Sequence, residues 1–146
     1  MTQSLPTIEQ LSSYLPHRAP MIWVDEVYAV ADSKGSCLVH LKDDALYMDE
    51  DGPRKSSAIE WLAQAYGYVC AARAYQQGSN SAASKAFLAQ VRNASYKHPL
   101  PKSGTLIIEV EDKRILGPLS LITGTVKDFQ TKRILVEAEL KLFAEQ

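Results

Sequence analysis

The side chain best placed for chemistry is Glu60, a lone carboxylate in the first turn of a helix otherwise built for burial. It lies in the stretch Ser57-Ala-Ile-Glu-Trp-Leu-Ala-Gln-Ala-Tyr-Gly67. From Ala58 to Tyr75 the strongly polar side chains are Glu60, Gln64 and Arg73, and Ala63, Ala65, Gly67, Ala71, Ala72 and Ala74 fill much of the rest. A helix so apolar all round is enclosed by other elements. A carboxylate at the mouth of such a helix can act as an acid or a base, because burial and the helix terminus tune its pKa. Ser57-Ala-Ile-Glu60 also reads as a capping box, in which Glu60 reaches back to the Ser57 N–H. The two roles compete for one carboxylate. Gln64 lies one turn on, on the same face. It can position the carboxylate or a substrate, or it can satisfy a buried backbone group.

His17 is the base candidate within the chain: it follows Pro16 in a loop, where catalytic residues are common. Its structural alternative is to shape that turn. His40 falls on the polar face of a predicted strand and is expected to be solvated; His98 precedes Pro99. Cys37 and Cys70 are the only cysteines. Neither belongs to a C-x-x-C or His/Cys cluster, so no metal or redox chemistry is expected, and their number fits a reducing cytoplasm.

These residues need elements to hold them. Thr7-Ile-Glu-Gln10 matches a capping box and, with Ile8, Leu11 and Leu15, predicts a short helix that Pro16 ends. Met21 to Val30 predicts a first strand. Asp32-Ser-Lys-Gly35 is a turn, and Cys37, Val39 and Leu41 alternate with Ser36, His40 and Lys42 in a second strand. An acidic loop runs from Asp43 to Lys55. The long helix spans about Ser57 to Gln77, roughly 30 Å at 1.5 Å per residue. Four strands follow, about Phe87–Tyr96, Thr105–Lys113, Leu119–Lys127 and Arg133–Phe143. Turns at Lys102-Ser-Gly104, Gly117-Pro118 and Gln130-Thr-Lys132 suit antiparallel neighbours. The order is two strands, one apolar helix and four strands, an α+β class. One flat sheet cannot cover a helix that is apolar on nearly all sides. A curved sheet wrapped around it can, and a second copy can cover the remainder.

The 146 residues suit a single domain, 1–146, with a real core. A net charge of -1 and a pI near 6.3 do not suggest nucleic-acid binding, and no basic run reaches five residues. The N-terminal segment lacks the charge-then-apolar pattern of a signal peptide. Glu60, Gln64 and Arg73 argue against a membrane span. A cytoplasmic location is expected.

Several segments together resemble the hotdog-fold 3-hydroxyacyl-acyl-carrier-protein dehydratases of the FabA/FabZ type. Leu15-Pro-His-Arg-Ala-Pro-Met21 followed by Trp23-Val-Asp25 is similar to their "LPHRxPF…VD" opening. Glu60-Trp-Leu-Ala-Gln-Ala-Tyr-Gly67 is similar to their "EALAQAxG" helix. Phe87-Leu-Ala, Tyr96-Lys-His-Pro99 and Gly104-Thr-Leu106 resemble their third strand and the turn after it. The resemblance implies a dimeric hotdog fold in which two sheets form one layer around two helices. One segment departs from the pattern. The dehydratases carry "GHFPxxPxxPG" before the helix, with the catalytic base as its His; Asp44 to Ser56 here contains no His. A carboxylate kept with that His lost resembles the dehydratase subunit encoded with aryl-polyene pigment synthases, which a second hotdog protein accompanies.

The resemblance implies dehydration of a 3-hydroxyacyl thioester, aryl-polyenyl or alkyl, to the trans-2-enoyl thioester. That reaction needs a base for the C2 proton, an acid for the leaving hydroxyl and donors for the enolate oxygen, which helix N–H groups can supply. Glu60 would be the acid, and the base His17 or a histidine of a partner. Gln64, Tyr66 and Trp61 would contact substrate, although aromatics on a buried helix, Tyr68 among them, often just fill a core. Arg18, Arg92, Lys97 and Lys102 would meet an acidic acyl carrier protein or its phosphopantetheine phosphate, unless they are ordinary solvated surface. No cofactor is implied beyond that carrier arm. Partners would be the carrier and either a second copy or a different hotdog subunit. The alternatives are a non-catalytic hotdog partner subunit and an acyl thioesterase, which the same fold hosts.

Overall fold

The computed structural model describes residues 4–16, 18–78 and 85–145. Its centre is α1 (Ser57–Gln76), twenty residues without Pro. Trp61, Leu62, Ala65, Val69 and Ala72 are wholly buried and Tyr68 nearly so. Each large apolar side chain removed from water in this way contributes about 1.5–3 kcal/mol. That burial holds a helix whose apolar residues surround it rather than form one stripe.

Six strands wrap it: β1 (Glu26–Val30), β2 (Lys34–His40), β5 (Lys85–Tyr96), β6 (Thr105–Leu116), β7 (Leu119–Asp128) and β8 (Ile134–Glu145). A two-residue hairpin, β3 (Met48–Asp49) with β4 (Gly52–Pro53), sits in the loop before the helix. The large sheet is antiparallel in the order β1-β2-β6-β7-β8-β5. Register shifts interrupt the β1–β2, β6–β7, β7–β8 and β5–β8 ladders. Such bulges bend a strand and add twist, which curls the sheet around the helix.

The inner face carries Cys37, Val39, Leu106, Ile108, Val110, Ile122, Val126, Val136 and Leu140, all nearly or wholly buried. Helix and sheet approach closely at two glycines. A Cβ on Gly124 would sit 2.5 Å from Leu62 Cδ2, and one on Gly35 would sit 2.6 Å from Val69 Cγ1 and 2.9 Å from the Ala29 carbonyl. A larger residue at either place must displace Leu62 or Val69 from its packing.

The wrap is incomplete. α1 packs on β1, β2, β6, β7 and β8. Ile59, Glu60, Ala63, Gly67, Cys70 and Ala74 remain half-buried along one side of it. The edge strand β5 leaves Leu88, Val91 and Tyr96 exposed on its inner face, opposite the buried Leu142, Leu140 and Val136 of β8.

Three sequence expectations need correction. The helix expected between Thr7 and Leu15 is a set of turns with a 3-10 segment at Ser12–Tyr14. Its capping box does form, with Thr7 N–H to Gln10 Oε1 at 2.9 Å and Gln10 N–H to Thr7 Oγ1 at 3.1 Å, but too few residues follow to propagate a helix. The first strand begins at Glu26 rather than Met21, because Met21 and Trp23 bond a side chain of α1 instead of a neighbouring strand. The second strand runs Lys34–His40, so the expected turn residue Gly35 lies inside the ladder.

Candidate active site

Gln64 is the hub of the site. It is 1% exposed, and each end of its amide is engaged. Nε2 donates to the Met21 carbonyl at 2.8 Å and to Glu60 Oε1 at 2.8 Å, and Oε1 accepts the Trp23 N–H at 2.9 Å. One side chain therefore pins the extended 21–23 segment to the helix and aims the carboxylate one turn back. The open alternatives at this position resolve into two simultaneous roles: it positions Glu60 and it satisfies backbone.

Glu60 is half-buried in the first turn of α1. The capping box at this helix start is not made. The N-cap is Ser56, helical in backbone and without a side-chain cap. Ser57 N–H donates to the Arg54 carbonyl at 3.0 Å, and the Ser57 hydroxyl is buried without a partner. The N–H groups of Ala58 and Ile59 reach Lys55 and Ser56 carbonyls at 3.1 and 3.2 Å. A tight turn thus uses the first helical donors, which the sequence reading had offered to an oxyanion. With the box unmade, Glu60 is held by Gln64.

The other candidates fall into separate places. Trp61 has no exposure and packs edge-on to Tyr47 at 5.3 Å between centroids, and Tyr47 meets Trp23 at 5.3 Å in the same manner. Trp61 thus faces the core. Tyr66 lies further along α1, 9% exposed, and burial pushes its phenol pKa up, so it stays neutral. His17 lies outside the described residues. Arg18 donates to the Ser12 and Leu15 carbonyls at 3.1 and 2.7 Å, bracing the turns before the 21–23 segment.

Lys97 and Lys102 each lie beside the segment that leads into α1. Tyr96 Oη donates to the Lys55 carbonyl at 2.8 Å, and a cavity of ≈ 220 Å³ is lined by Lys55, Tyr96, Lys97, His98, Pro99 and Leu100. Lys102 packs beside Gly52. Lys97 pairs with Glu137 at 3.6 Å in solvent, a weak contact that a stronger anion can displace. Lys55 is the residue of this basic group that sequence reasoning missed; its position just before the helix was the available signal. Arg92 lies elsewhere, on the outer face of β5 opposite Glu139. His40 is half-exposed and bonds Glu26 at 2.5 Å and Thr105 at 2.9 Å, away from Glu60.

The profile of the ApeP dehydratases matches residues 9–146. The chain belongs to the ApeP-like dehydratase family. Among solved structures, this ApeP-like chain is similar to one from the dehydratase heterocomplex ApeI:P of Xenorhabdus doucetiae. The TM-score is 0.84 at 21% identity, covering 99% of this chain and 93% of that one. It is also similar to the uncharacterized protein PH1136 from Pyrococcus horikoshii (TM-score 0.66, 11% identity, 92% of each chain). A third is smu.793 from Streptococcus mutans, a structure bound to acetyl CoA (TM-score 0.61, 15% identity, 82% and 86%). At these identities the likeness establishes the hotdog fold. No curated protein matches the sequence. Among the described residues, no helix is long and apolar enough to cross a membrane.

Proposed function

We propose that this ApeP-like chain dehydrates a 3-hydroxyacyl thioester carried on acyl carrier protein, working with a second hotdog subunit. The observation that carries the reading is the 2.8 Å bond from Gln64 to Glu60, because it fixes a lone carboxylate in the first turn of an enclosed helix. Glu60 gives its proton to the C3 hydroxyl, which leaves as water as the C3–O bond breaks. A base removes the C2 proton, and that electron pair forms the trans-2 double bond. The base is an imidazole, His17 or one supplied by the partner. No cofactor takes part beyond the carrier's phosphopantetheine arm.

Two features support a partner. α1 keeps a strip of half-buried residues that includes Glu60, and the edge strand β5 leaves Leu88, Val91 and Tyr96 exposed on its inner face. The related ApeI:P protein is a heterocomplex. Carrier docking is assigned to Lys97 and Lys102, with Lys55 beside them, and to Arg18 and Arg92 further out. Gln64 and Tyr66 border the acyl chain, and Trp61 backs them from the core.

The test is reconstitution. The purified chain alone is expected to form enoyl thioester at least about a hundredfold more slowly than the complex with its hotdog partner, the scale of one missing acid–base group. Full activity of the chain alone as a homodimer would remove the partner from this account.

A further inference from the structure

The two residues that lead into α1 are each held by a different element. Arg54 is held by the preceding loop: its N–H donates to the Tyr47 carbonyl at 2.9 Å, and its Nη2 donates to the Leu46 carbonyl at 2.7 Å. Lys55 is held by the edge strand β5, where Tyr96 Oη donates to the Lys55 carbonyl at 2.8 Å. The same carbonyl accepts the Ala58 N–H at 3.1 Å, which closes the turn just before Glu60. The Lys55 Nζ stands 5.9 Å from the centroid of the Tyr96 ring, at the outer limit of a cation–π contact.

This helix start needs such help. Ser56 makes no side-chain cap, and the Ser57 hydroxyl is buried without a partner. A helix end that lacks its own cap takes its order from outside or frays. The main packing of α1 is on β1, β2, β6, β7 and β8. The Tyr96 bond brings the remaining strand of the large sheet, β5, to the first turn. Burial raises the Tyr96 phenol pKa, so the hydroxyl keeps its proton and stays a donor through neutral pH.

We infer that Tyr96 is a positioning residue for Glu60, acting through the Lys55 carbonyl to fix the first turn of α1. This rests on the assignment of Glu60 as the reacting acid. Gln64 aims the carboxylate from one turn further along, and Tyr96 fixes the backbone that carries it. On a loosened first turn the carboxylate still ionises, but its distance to the reacting hydroxyl varies. Such a displacement slows the chemical step and leaves substrate binding unchanged.

The test is Tyr96→Phe, which keeps the ring and removes one hydroxyl. Ile122→Val is measured beside it. That change loosens the core next to Asp112, the partner of Arg73 near the end of α1 remote from Glu60. The first readout is the NMR resonance of the Glu60 carboxyl carbon in the full chain, assigned by its absence from Glu60→Gln. It is expected to move in Tyr96→Phe and to stay in place in Ile122→Val. The second is enoyl-thioester formation by the complex with the hotdog partner. Tyr96→Phe is expected to lower kcat about tenfold with KM within about twofold, the scale of one hydrogen bond, and Ile122→Val to keep the native kcat. An unmoved Glu60 resonance, a native kcat, or equal effects of the two variants would overturn the role of Tyr96. If the native complex forms no enoyl thioester, the dehydratase assignment fails, and the Glu60 resonance alone decides whether Tyr96 positions it.

Discussion

Gln64 and Asp112 are both buried polar side chains in contact with α1 or borne by it, and they are satisfied to opposite degrees. Gln64 spends its amide on Met21, Trp23 and Glu60, all within the chain. Asp112 spends one oxygen on Arg73 and leaves the other bare. A satisfied buried group builds a scaffold; a half-satisfied one is an expensive place to leave empty. The first fixes the geometry of the carboxylate, and the second ties β6 to α1 through Arg73. Burial alone does not distinguish the two roles, but the hydrogen-bond inventory does.

Breaking the Gln64 side should have the larger effect. Gln64→Leu keeps the volume but strands the Trp23 N–H and the Met21 carbonyl and removes the Gln64 bond to Glu60. The expected loss is about 2–4 kcal/mol of stability, read by urea unfolding. Turnover of the folded fraction should fall as well, because Glu60 is no longer aimed. A variant with unchanged activity would mean that Gln64 serves the backbone alone.

The cysteines report the two regions separately. Cys37 lies under α1, with its thiol facing the Ala65 carbonyl at 3.8 Å, and burial pushes its pKa up to about 12 from an ordinary 9.0. Cys70 is half-buried in the Tyr66–Arg73 face, and burial raises its pKa too. An acid with a raised folded pKa holds its proton in the native state after the unfolded chain has lost it. Stability is therefore unaffected below about pH 9 and falls between pH 9 and 12, by about 1.4 kcal/mol per unit. Urea midpoints at pH 8 and pH 10 measure this, and Cys37→Ala should flatten the difference. Alkylation of the native protein at pH 8 should label Cys70 ahead of Cys37.

The smallest expected effect sharpens the Asp112 side. Replacing the whole ion pair, Arg73→Met with Asp112→Leu, should leave stability within about 1 kcal/mol of the native chain, since buried pairs often exchange for apolar groups at little cost. A loss of several kcal/mol would make the pair a structural fastener comparable to Gln64.

The strands after the helix were legible because their alternation matches the inner and outer faces directly. Ile134, Val136, Ala138, Leu140 and Leu142 form the clearest case, and the structure places Val136, Ala138, Leu140 and Leu142 in the core. The 21–25 segment was not legible as irregular chain, because its apolar residues have strand composition while its partner is a glutamine forty-one residues away. The capping box at Ser57 misled because it depends on where the helix starts, and Arg54 supplies the carbonyl that places Ser57 inside it. Within the site, Glu60 and Gln64 were found by spacing on one helix face. The Arg73–Asp112 pair was not legible, because nothing in the spacing of β6 says which helix residue faces position 112.

The central claim is that Glu60 is the acid of the reaction. Its most direct test is enoyl-thioester formation by the Glu60→Gln variant in complex with the partner subunit, with folding checked by circular dichroism. The account predicts a rate lower by about 10²–10⁴-fold with unchanged assembly, because Gln keeps the shape and loses the proton. A Glu60→Gln complex that turns over at the native rate would contradict it and leave this chain a non-catalytic subunit.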